Sequence, residues 1–162
     1  MRDVETILAK ADWWDRFSGE LISADADSLQ VSQMLLEHPP GWISGLMSLR
    51  NRIVAIAGLK TVAFVAGASA GGFPVVSSTP QRTVLGFDDR HLNFRIVVDI
   101  REGADRRYLD VTTLVRRNNL LGRLYLLAVG PFHRRIVPAT MRPICVNVRP
   151  VIREDGKSTR RA

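Results

Sequence analysis

The chain has 162 residues, 46% of them apolar, and a formal net charge of +7, the profile of one folded domain with a real core rather than a low-complexity segment. Its single cysteine, Cys145, excludes an internal disulfide and any cysteine-based metal cluster. The charge sits at one end, where residues 134–162 set eight arginines and lysines against Glu154 and Asp155, so the body is near neutral and the end is a basic tail.

Residues 1–10 intersperse charges among their apolar side chains, hold no long apolar run and do not read as a signal peptide. The longest oily run, residues 61–76, is broken by glycines and Pro74 and is shorter than the ~20 residues of a membrane span. The expected location is cytoplasmic. Trp13, Trp14 and Phe17 cluster ahead of Gly19, and residues 14–22 read as a strand. Asp25 or Asp27 then caps a short helix over residues 28–37, which Pro39-Pro40 ends. A second helix is expected over residues 41–57, with Trp42, Ile43, Leu46, Met47, Ile53 and Val54 at helical spacing and Gly58 as its stop. Residues 61–65 suit a strand and the glycines after them a loop, while residues 73–76 are extended because the residue before a proline avoids the helical region.

The clearest pattern lies between residues 82 and 116. Leu92, Phe94, Ile96, Val98 and Ile100 alternate with Asn93, Arg95, Val97 and Asp99, which argues for a strand with one buried face. Residues 83–87 precede it in phase, and residues 107–115 follow with Leu109, Val111, Thr113 and Val115 on one side. Turns centred on Asp89-Arg90 and on residues 101–106 make this an antiparallel meander. That register pairs Phe87 with Leu92, Leu85 with Phe94, Ile100 with Arg107 and Val98 with Leu109, and gives the sheet one oily face.

Asn118 or Asn119 stands where a helix cap is wanted. Leu120, Leu121, Leu124, Tyr125, Ala128, Phe132 and Ile136 then form a stripe at i, i+3/i+4 spacing, the natural cover for that face, in a helix that Pro131 and Pro138 should bend. Beyond Pro143 valines and isoleucines alternate as far as Ile152. The domain is expected to fill residues 1–148, with a disordered basic tail over 149–162.

Residues 67–71 spell G-x-S-x-G, but a hydrolase needs Ser69 on a strand-to-helix turn over a parallel sheet, and Gly72-Phe73-Pro74 cannot start that helix. Asp88, Asp89 and His91 fit no metal signature and read as turn residues. His38 is a loop residue, His133 lies beside Arg134 and Arg135, and Cys145 reads as a small core side chain.

The strings RTVLGFDDRHLNFRIVVDI, VTTLVRRNNLLGRLYLLAVGPFHRRIVP and GWISGLMSLRNRIV resemble an uncharacterised bacterial family of the START-like, polyketide-cyclase-like superfamily. The resemblance covers roughly residues 13–143. It implies an α+β helix-grip fold, in which a twisted antiparallel sheet wraps a long C-terminal helix and two short helices lie near the N-terminus. It also implies a cavity for an apolar small molecule, and fusion or association with short-chain dehydrogenase-like domains, without assigning a catalytic residue. The expected lining is Phe87, Phe94, Ile96, Val111, Thr113, Leu124 and Ala128, with Trp42 or Tyr125 near the mouth, and no cofactor or metal. Binding of a hydrophobic ligand is the leading expectation. The alternatives are a cyclase- or aromatase-like enzyme whose proton-moving group is His133, provided that side chain enters the cavity, and an interaction module that uses the basic tail.

Overall fold

A computed structural model describes residues 6–23, 25–37, 41 and 69–154. Its elements are β1 (Trp13–Leu21), α1 (Ser28–Glu37), β2 (Ser69–Ala70), β3 (Phe73–Ser78), β4 (Arg82–Asp88), β5 (Leu92–Glu102), β6 (Arg107–Arg117), α2 (Leu120–Met141) and β7 (Cys145–Glu154). The strands form a sheet in the order β2-β3-β4-β5-β6-β1-β7, antiparallel throughout. The fold class is α+β. No helix among the described residues is long and apolar enough to cross a membrane.

The meander forms as its alternation requires, with its register moved by two residues. Phe87 pairs with Phe94 and Leu85 with Ile96, while Ile100 pairs with Leu109 and Val98 with Val111. Each turn is centred one residue further along than expected: Asp89 N–H donates to the Leu92 carbonyl, leaving Arg90-His91 at the tip, and Gly103 N–H donates to that of Arg106, so pairing continues into the expected 101–106 turn. A shift of two keeps every side chain on its face, since the strand period is two. Leu85, Ile96, Val98, Ile100, Leu109 and Val111 therefore enter one core with Phe17 and Leu21 of β1. Gly86 permits the pairing of β4 with β5: its φ is +151°, and a Cβ there would lie 2.1 Å from the Phe94 carbonyl oxygen.

The opposite face is not simply wet. Leu8, Val84, Val97 and Leu114 form a second buried cluster, with Ile7, Ala11 and Trp14 packed against it. Asn93 is buried on that side and accepts a hydrogen bond from the Asn118 amide. Asp110 is buried there too, and Arg101 grips it through both carboxylate oxygens, at 2.7 and 3.0 Å. Burial pushes the Asp110 pKa up. The hydrogen bonds from Arg101 and Ser18 and the nearby guanidiniums together outweigh that push, and the net shift is downward.

Asp27 caps α1 by accepting from Gln30 N–H at 2.8 Å, and the Gln30 side chain accepts in return from Asp27 N–H at 3.0 Å. The helix turns Ser28, Val31, Ser32 and Leu35 inward. Ser28 Oγ donates to the Thr79 carbonyl and lies 2.7 Å from Thr83 Oγ1, which fixes α1 over β4. Beyond Gly41, the helix expected over 41–57 lies outside the described residues, as do Trp42 and the strand expected over 61–65.

Asn119 caps α2, its side chain accepting from Gly122 N–H at 3.0 Å. Pro131 and Pro138 both lie within the helix. The face that α2 turns to the sheet is not the expected one. Gly122, Gly130, Val137 and Met141 are buried, whereas Leu120, Leu121, Leu124 and Phe132 of the expected stripe are exposed. Close approach decided this: a Cβ on Gly122 would lie 2.1 Å from the carbonyl oxygen of His91 in the β4–β5 turn, so only the glycine side fits there.

The long helix is also not the last element. After Arg142 the chain turns back, Ile22 N–H donates to the Ile144 carbonyl, and β7 adds to β1. Residues 149–154, expected in the tail, are the second half of that strand. Residues 155–162 lie outside the described residues. Cys145 opens β7 within the core, and burial pushes its thiol up to about 12. Because the thiolate is the reactive form, Cys145 is expected to resist iodoacetamide at pH 8 in the native protein and to react in urea. Rapid labelling of the native chain, read by mass spectrometry, would contradict this placement.

Candidate functional site

Strand parity puts Trp13, Asp15 and Phe17 on the same face of β1 as Thr113 and Val115 of β6. Asp15 pairs with Thr113 and Trp13 with Val115. Asp15 is a carboxylate in an apolar series, 4% exposed. His133 comes down on it from α2: Nδ1 lies 3.0 Å from Asp15 Oδ2, and Nε2 lies 3.2 Å from Thr113 Oγ1. The imidazole also stands edge-on to Trp13, with ring centroids 5.6 Å apart. Helix and sheet thus meet through a polar trio set among hydrocarbon.

An aromatic row runs beside it. Phe87, Phe94, Val115 and Trp13 are successive partners across β4, β5, β6 and β1. Phe94 touches both Phe87 and Phe73, each with centroids 5.6 Å apart. Trp13 and Val115 are buried, but the three phenylalanines are only half-buried. Gly130 of α2 is buried, and a Cβ built on it would meet nothing within 4 Å. Space therefore adjoins the helix at that point.

Of the residues expected to line a cavity, the structure brings together Phe87, Phe94, Thr113 and His133. Ile96 and Val111 belong to the packed core, 9% and 4% exposed. Leu124 is 54% exposed, Ala128 is exposed with it on the outer side of α2, and Tyr125 is half-buried. The first half of α2 is apolar around most of its circumference, so its period alone could not select a side. Asp15 was not singled out from the sequence. The signal was there, since it falls in phase with Trp13 and Phe17 in an alternating strand. Ser69 opens a two-residue strand rather than a nucleophile turn. Asp88 pairs with Arg95, and Asp89 accepts from Arg90 N–H within its turn. Among the described residues no group of three or more His, Cys, Asp or Glu is placed to hold a metal.

A protein-family model described as "Protein of unknown function (DUF2867)" matches residues 7–140, from the segment before β1 to the last turn of α2. No curated protein and no solved structure matches the chain.

Proposed function

The chain belongs to the DUF2867 family of proteins of unknown function, and from that premise we propose that it binds an apolar small molecule between the sheet and α2, with the ligand's polar end at Asp15, His133 and Thr113. The observation that carries this is the trio itself, three hydrogen-bonded polar groups beside half-buried phenylalanine rings. Small-molecule sites have this composition, apolar walls with a few placed polar groups. An antiparallel sheet crossed by a long helix also supports the helix-grip, START-like reading, with β7 as an addition after the helix.

The experiment is titration with N-phenylnaphthylamine, a neutral dye that brightens in apolar surroundings. It is expected to bind the native protein at about one per chain and to raise the melting temperature, since a ligand at 100 times its Kd stabilises by about 2.7 kcal/mol. Gly130→Leu, which extends into the adjoining space, is expected to weaken the dye at least tenfold while the fold persists. A native protein that leaves the dye dark at saturating concentration would end this reading.

A second reading rests on the inward turn of His133. Asp15 holds the ring in one orientation, the arrangement by which a carboxylate positions a general base. On this reading the same site moves a proton on its bound molecule. His133→Gln would then preserve dye binding and abolish turnover.

A further inference from the structure

Two carboxylates are buried in the described sheet, and they are treated differently. Asp110 has both oxygens engaged by Arg101. Asp15, 4% exposed, has His133 on Oδ2, while Oδ1 is buried with no hydrogen-bond partner among the described residues. A buried ionised carboxylate costs several kcal/mol unless its lone pairs are met, and a buried polar atom left alone is uncommon enough to require a reason.

With Asp15 ionised and the His133 ring neutral, the geometry of the trio allocates its protons. A carboxylate only accepts, so His133 Nδ1 carries the hydrogen that it donates to Oδ2. In the neutral ring Nε2 is then an acceptor, and Thr113 Oγ1–H donates to it. Both hydrogens are spent within the trio. What remains is acceptor capacity, concentrated on Oδ1.

Resting on the binding reading above, we propose that the ligand carries a hydroxyl donor on its apolar skeleton and that Asp15 Oδ1 accepts from it. An alcohol or phenol fits such a site. An ether of the same shape leaves the oxygen unpaired. A carboxylate-bearing molecule, such as a fatty acid, meets a second negative charge with no donor free to receive it. Asp15 is therefore the residue that determines specificity, and the aromatic row supplies bulk affinity.

Three probes of one skeleton test this at neutral pH: naphthol, its methyl ether and naphthoate, each competing with N-phenylnaphthylamine. Naphthol is expected to bind at least tenfold more tightly than the ether, about 1.4 kcal/mol, and naphthoate most weakly. In Asp15→Asn the His133 hydrogen bond is kept and an amide N–H₂ replaces the free acceptor, so the preference for naphthol is expected to fall below twofold. Equal binding of naphthol and ether to the parent overturns the proposal and leaves the binding reading intact. A tenfold preference surviving in Asp15→Asn also overturns it. If no probe and no dye binds, the binding reading falls and this inference with it. The parent series decides by itself should Asp15→Asn fail to fold.

Discussion

Val98→Asp is expected to leave the protein unfolded at room temperature. Val98 is fully buried, paired on one side with Thr83 and on the other with Val111 in the middle of the sheet. An unpaired carboxylate there costs several kcal/mol, comparable to the ~5–15 kcal/mol that holds a whole domain together. Val76→Asp, on a strand of the same sheet but 53% exposed, should change stability by less than about 1 kcal/mol. Circular dichroism and urea melts distinguish the two. If Val98→Asp gave a cooperative transition close to the parent's, the assignment of the inner face would be wrong.

Gly122→Val has the next largest expected effect, and it tests how α2 is seated. The added Cβ would lie 2.1 Å from the His91 carbonyl oxygen and 3.0 Å from its carbon. The contact is with backbone, which has no side-chain rotamer through which to yield. Helix or turn must move, and with it the Asn118 N–H bond to the His91 carbonyl and the Asn119 amide bond to the Arg90 carbonyl. Overpacking costs typically 1–3 kcal/mol, and a backbone clash belongs at the upper end. About 3 kcal/mol corresponds to a melting temperature lowered by roughly 6–12 °C in a chain of this size. Gly130→Ala, in the same helix with open space around it, should raise the melting temperature, because alanine is the better helix former by about 1 kcal/mol. Equal effects would mean that Gly122 does not set the approach.

The residues that specify strands through alternation could be read in order, because inward and outward positions there differ by a whole side chain's polarity. The first strand, expected over 14–22, appears one residue earlier at Trp13–Leu21, and the helix over 28–37 and the meander appear where they were expected. Register was harder, since a slip of two conserves every face and leaves only the turn's position to decide it. The side of α2 could not be read at all from hydrophobicity, because Leu120, Leu124 and Leu127 equal any inward residue in oiliness and are nonetheless exposed. Its inward face was selected by a missing side chain, at Gly122, and by a polar one, at His133, and both look like defects in an apolar stripe. The candidate site suffered likewise. Thr113, Phe94 and His133 stood out, but Asp15 looks like a solvated strand residue until the Trp13 and Phe17 phase is enforced. β7 was masked by its arginines, which made a strand look like a tail.

The place of β1 between β6 and β7 has a consequence for how the chain is made. On the ribosome, at roughly 5–20 residues per second, Trp13, Trp14 and Phe17 emerge long before either neighbour exists. Val115, Thr113 and Val111 arrive much later, and Pro150 later still. Sheets closed by such distant pairings fold slowly, because the entropy of loop closure is lost before any contact offsets it. Until β6 is complete, the nascent chain carries an unpaired aromatic strand, and the strand edge opposite β6 stays open until β7 follows. This interval is where a chaperone would find it.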